Sequence, residues 1–183
     1  FWAGPGGLVR VGGRAFPGLF GVIESTGGDI VFGGLLDLGG LTMPLPTALD
    51  GRYFLSGGRL SNGRIGMGAA GSLLTGTSLA NRLTNIGLMG DLDVRAQTGL
   101  VVDGGSSIDG DMRIEEGATV FAPGTQTWSG SGRIQFVPSQ DDAPGRIFVG
   151  SATGVATLTL DGLDIDAIGR GEILAHPGIG SSL

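Results

Sequence analysis

Cysteine and lysine are absent from the 183 residues, and histidine and tyrosine occur once each. Without Cys there is no disulfide frame and no thiolate metal site. With His176 as the single histidine, a two-histidine ligand set within the chain is excluded. All 11 basic residues are Arg, scattered singly against 17 acidic residues, for a net charge of −6. A chain with no basic run lacks the footprint needed to neutralise phosphates, so a nucleic-acid partner is not expected.

Long hydrophobic runs are missing as well. The longest charge-free stretch, Ile65 to Asn81, is half Gly, Ser, Thr or Asn, and Leu38 to Leu49 is short and carries Pro44 and Pro46. Neither suits a membrane span. No leader is visible before Phe1-Trp2 and the chain stops at Gly180-Ser181-Ser182-Leu183. It reads as a processed product or a segment of something longer.

What is abundant is glycine, at 39 residues, roughly three times ordinary usage. Gly inside a helix costs about 1 kcal/mol relative to Ala, so a helical bundle is excluded. The glycines follow no three-residue period and Pro numbers only 8, which excludes collagen. A mean hydropathy of +0.28 is too high for a self-solvating disordered chain.

Between the glycines lie runs of three to five residues rich in β-branched and aromatic types. Examples are Asp29-Ile30-Val31-Phe32, Arg52-Tyr53-Phe54-Leu55 and Arg133-Ile134-Gln135-Phe136-Val137. Such runs bounded by Gly, Ser or Asp predict strands. An internal repeat organises them. Gly90-Asp91-Leu92-Asp93-Val94 is followed after twenty residues by Gly110-Asp111-Met112-Arg113-Ile114, and after twenty more by Gly130-Ser131-Gly132-Arg133-Ile134. Val94, Ile114 and Ile134 thus take equivalent positions. Three short strands per twenty residues predict an all-β fold, a parallel β-helix or β-solenoid whose coils stack about 4.8 Å apart. At that spacing the chain makes roughly nine coils and a rod on the order of 40 Å long.

The period is clean from Gly90 to Phe136, and Val137 to Gly145 reads as an extruded loop. Residues 1–50 lose the register and are expected to form irregular N-terminal coils or a cap, with the solenoid over 51–183. Pro44-Leu45-Pro46 marks a break, and Phe1-Trp2 an apolar plug.

The phrases Gly57-Gly58-Arg59-Leu60-Ser61-Asn62-Gly63, Leu83-Thr84-Asn85-Ile86-Gly87-Leu88-Met89-Gly90-Asp91-Leu92 and Gly124-Thr125-Gln126-Thr127-Trp128-Ser129-Gly130-Ser131-Gly132-Arg133-Ile134 resemble the β-helix repeats of autotransporter- and haemagglutinin-like bacterial surface proteins. The resemblance covers about residues 57 to 137. It implies a right-handed, secreted parallel β-helix serving as adhesin, stalk or matrix component. Arg fills several places where such repeats carry Thr.

Candidate chemistry is sparse. Gly66-Met67-Gly68-Ala69-Ala70-Gly71 matches a dinucleotide fingerprint, yet about 1.7 such matches arise by chance at this glycine content. Gly76-Thr77-Ser78-Leu79-Ala80 misses the last Gly of a nucleophile elbow. Asp91 and Asp111 share a repeat position about 5 Å apart, so they splay into water or are bridged by a cation, with Ca²⁺ the candidate. Asp93 and Arg113 are expected to pair across coils. The acids of Asp161-Gly162-Leu163-Asp164-Ile165-Asp166 are expected to point outward, and Glu115-Glu116 to be solvated. Phe121, Trp128, Phe136 and Phe148 read as core. No residue is assigned a catalytic, cofactor or metal-binding role.

Two functions follow. One is a non-enzymatic secreted solenoid at the bacterial surface or matrix, a stalk, adhesin or filament subunit whose coils stack end to end with further copies. The other is a carbohydrate-binding or polysaccharide-cleaving β-helix that uses surface glycans. It requires convergence of Asp109, Asp111, Glu115 and Glu116 beside the loop Val137 to Gly145.

Overall fold

A computed structural model describes residues 2–15, 23–45, 51–68, 71–150 and 155–175. Its twenty-two strands pair only in parallel, and no helix occurs among the described residues. The chain is a β-solenoid of about 7 turns with roughly 22 residues per turn. The count is thus lower than nine, and seven steps give a rod of about 34 Å. One turn shows the plan. Asp91–Val94 lies on face one, Gly99–Asp103 on face two and Ser107–Ile108 on face three, and Asp111–Glu115 then stacks on Asp91–Val94.

Side-chain alternation along each strand divides inside from outside. On face one the inward column runs Ile30, Tyr53, Leu73, Leu92, Met112, Ile134, each in register with the next. All six are buried, and each contributes roughly 1.5–3 kcal/mol from burial. Face two supplies Leu100, Val120 and Ile147, and face three Met43, Ile65, Leu88 and Ile108. Three polar residues in this core are satisfied locally. Thr75 and Thr98 share a 2.6 Å hydroxyl hydrogen bond. Buried Asn81 donates to the carbonyls of Ser78 and Gly99 and accepts from the Gly57 amide.

Faces two and three are continuous where Arg59–Met67 and Asn81–Met89 bend around a corner. Leu60 and Ile65 therefore lie on one strand. Asn62 and Asn85 stand at that corner with φ of 55° and 52°, a conformation Asn tolerates better than most residues. At the corner entering face one the backbones of successive coils approach closely. A Cβ on Gly110 would lie 2.4 Å from the Gly90 carbonyl carbon and oxygen.

The third repeat is displaced from its sequence alignment. Met112, not Ile114, pairs with Ile134, and Ile114 pairs with Phe136. The step is 22 residues, because Gly124-Thr125 lengthens one corner and Ser107 meets Ser129 rather than Thr127. A slip of two keeps every side chain on its own face. Gly132, not Gly130, accordingly takes the place of Gly110.

The strands Arg133–Val137 and Gly145–Gly150 flank the expected loop. The ladder also extends through the first fifty residues, where Leu8 pairs with Asp29 and Asp29 with Arg52. Thr42–Leu45 is a strand, so Pro44 lies within one and makes no break; Pro46 is outside the described residues. Trp2 lies outside the core, 62% exposed, with its indole N–H donating to the Thr26 hydroxyl. At the other end Ile165 continues the column of Ile134 but is 47% exposed.

Candidate functional site

Face one carries the densest set of charges. Its outward columns follow from the register: Ser72, Asp91, Asp111, Arg133 and Asp164 in one, and Asp93, Arg113, Gln135 and Asp166 beside it. Arg113 stands among three carboxylates. Its guanidinium bonds Asp91, lies 3.1 Å from Asp93 and lies 3.6 Å from Asp111. The expected Asp93–Arg113 pair is therefore present, and the cation between Asp91 and Asp111 is a guanidinium. Arg133 grips Asp111 through two hydrogen bonds of 3.0 and 2.9 Å and reaches Asp166 at 3.8 Å. The Ser72 hydroxyl donates to Asp93 at 2.7 Å. Partial burial opposes the Arg113 charge, but the hydrogen bonds it donates to Asp91 and Asp93 outweigh that and raise its pKa. The hydrogen bond to Asp111 raises Arg133 likewise.

A second cluster closes the corner after Asp111–Glu115. Glu116 is 7% exposed and not solvated. Its carboxylate accepts from the Arg170 amide at 2.9 Å and from the Arg170 guanidinium at 3.2 and 3.4 Å. Those bonds, the side-chain one foremost, hold the Glu116 carboxyl below its usual range despite desolvation. The loop is fastened here: the Ser139 hydroxyl donates to the Glu116 carbonyl and Arg170 donates to the Asp141 carbonyl. Glu115, half-buried, accepts from the Ala96 amide.

The four acids of the polysaccharide reading do not converge. Asp111 and Glu115 sit at opposite ends of one strand, Asp109 lies at the corner before it, and Glu116 is bound to Arg170. Among the described residues no three His, Asp or Glu side chains gather as a metal site; His176 lies outside them. Asp161 and Asp164 are exposed and Asp166 is partly so, as the alternation predicts. The Ser78 hydroxyl accepts from the Ala80 amide and serves a turn. The glycine fingerprint begins in the strand Arg59–Met67 and is followed by the strand Ser72–Thr75. Residues 69 and 70 of it are not among those described.

The aromatics divide. Trp128 and Phe136 are buried, whereas Phe121 and Phe148 face outward and stack in register on face two. Phe121 stands between buried Val120 and Ala122, so strand alternation turns it out. Comparison with protein-family models, curated proteins and solved structures finds no match.

Proposed function

We propose that the chain is the rod of a non-enzymatic bacterial surface or matrix protein, serving as stalk, adhesin or filament subunit. The observation that supports this reading best is the distribution of charge on face one. Its carboxylates are tied in a ladder by Arg113 and Arg133, in contacts that hold one coil to the next. Carboxylates engaged in this way support the rod and are poorly placed for proton transfer. The resemblance of residues 57–137 to surface-protein repeats supports the extracellular placement.

The last described coil supports end-to-end association. Among the described residues, Leu158–Asp161, Asp164–Ala167 and Gly171–Ala175 have ladder partners on one side only. They expose Ile165, Ile173 and Leu174, an edge that another parallel coil completes. Sedimentation velocity across a concentration series, with electron microscopy of the same samples, tests the filament form. The expected particles are rods that lengthen in steps of about 34 Å. A monomer at every concentration overturns that form, and cleavage of a polysaccharide by the purified chain overturns the non-enzymatic reading.

A further inference from the structure

Six of the 11 arginines are tied to carboxylates: Arg52, Arg82, Arg113, Arg133, Arg146 and Arg170. Arg10, Arg14, Arg59, Arg64 and Arg95 have no ion-pair partner among the described residues. Two of these five, Arg10 and Arg95, border the same groove of about 300 Å³ although they are four turns apart in the chain. The groove follows the corner between faces one and two, along the rod axis. Its floor is kept low by a column of small residues, Gly33, Ser56 and Gly76, stacked through backbone hydrogen bonds to the coils before them. A Cβ on Gly76 would lie 2.6 Å from the Ser56 side chain, so nothing larger fits that column without movement.

The wall is Phe54, which stands outward beside Val31. Arg52 lies over its ring at 5.1 Å and is itself held by two hydrogen bonds to Asp29. The side chain of Arg10 reaches to 4.0 Å from the Cβ position of Gly33. Arg95 lies three rungs beyond Gly33, so the two arginines bound a track on the order of 14 Å long. Ser56 and Thr77 add hydroxyls, while Thr75 and Thr98 already bond each other. Among the described residues no carboxylate lines the groove, and Glu115, which approaches Ala96, is engaged by that residue's amide.

We propose that this groove binds a segment of an anionic oligosaccharide, its acid groups on Arg10 and Arg95 and a sugar ring against Phe54. A guanidinium fork matches a carboxylate or sulfate. An aromatic wall with hydroxyls suits a ring that is apolar on one face and polar at its edge. An acidic peptide is the weaker fit, because extended peptides bind chiefly through main-chain hydrogen bonds to a free strand edge. Along this corner the amides of Gly33, Ser56 and Gly76 are already bound to Val11, Phe32 and Leu55. The site is independent of end-to-end association and of its test.

Titration calorimetry with a uronate oligosaccharide, a neutral glucan of equal length and oligo-glutamate of equal charge decides the matter. The uronate is expected to bind, with affinity falling as salt is raised. R10Q and R95Q are each expected to weaken it roughly tenfold, the loss of about one charge-assisted contact. R59Q, an unpaired arginine away from the groove, leaves binding unchanged. Both target side chains are exposed and unpaired, so thermal unfolding of the variants is expected to match the parent chain. The proposal is overturned if the uronate does not bind, if the neutral glucan or oligo-glutamate binds as tightly, or if R59Q loses as much as R10Q.

Discussion

Replacing Arg113 by glutamine tests whether the face-one ladder stabilises the rod electrostatically. The substitution removes contacts to Asp91, Asp93 and Asp111 while keeping the length of the stem. Arg113 and Asp91 are about one-third exposed, and Asp93 and Asp111 less so, so values for exposed pairs apply better than those for buried ones. At a few tenths to 1 kcal/mol per pair, three contacts amount to about 1–2 kcal/mol. Removing the guanidinium also leaves Asp91 facing Asp111 one rung away. Two charges about 5 Å apart repel by roughly 0.8 kcal/mol in a water-like dielectric. The expected loss is therefore about 2 kcal/mol at pH 7, which for a chain of this size lowers Tm by about 4–8 °C. The same melt in 1 M salt, where charges on the surface are screened, should show a smaller deficit. R59Q, which breaks no ion pair, sets the baseline. If R113Q melts with R59Q at pH 7, or if its deficit is unchanged in 1 M salt, the ladder does not stabilise the rod by charge.

Core and corners make sharper demands. Leu92→Ala and Met112→Ala, both at fully buried positions, should each cost about 2–5 kcal/mol in a urea melt, and Trp128→Ala about 3–5; Phe148→Ala, on the outer surface, should cost clearly less than Trp128→Ala. Gly110→Ala brings a methyl to 2.4 Å from backbone and should cost about 1–3 kcal/mol. Gly12→Ala, with nothing within 4 Å, is the near-neutral comparison. The Glu116–Arg170 pair has a defined sign with pH. Because the folded carboxyl titrates below its ordinary value of 4.5, its contribution is complete above that value and is lost as pH falls through the depressed folded pKa. The Tm difference between the parent chain and R170Q should be widest near neutrality and should close in acid; a gap that grows in acid contradicts the assignment.

Strand positions, the parallel stack and the loop after Val137 were legible because they depend on local alternation and on turn chemistry. Register was legible only in part. Aligning Gly-x-x-Arg-Ile set Arg133 over Arg113, like over like, whereas the fold sets Arg133 over Asp111. Like charges opposite each other are destabilising, so the charge pattern contained the correction. Phe121 is a matter of parity, readable from buried Val120 and Ala122 on either side, and Phe148 stacks on it in register. The Glu116–Arg170 pair spans 54 residues and no repeat encodes it. It depends on how far the loop carries the chain before it returns to the same corner.

The corners explain why the period fades where the stack does not. Leu8 to Asp29 is a step of 21 residues, Asp29 to Arg52 of 23, and Leu73 to Leu92 of 19. An odd change in step would turn every side chain of an uninterrupted strand to the opposite face. Here the corner absorbs it, because Gly or Asn at positive φ can add or drop a residue and re-enter the next rung at the same point. Rung length and inward pattern are fixed by the core, while corner length is free. Differences between turns therefore collect at corners. There the loop 138–144 is fastened by Glu116 and Arg170, and there the column of Gly33, Ser56 and Gly76 leaves room for the groove between Arg10 and Arg95.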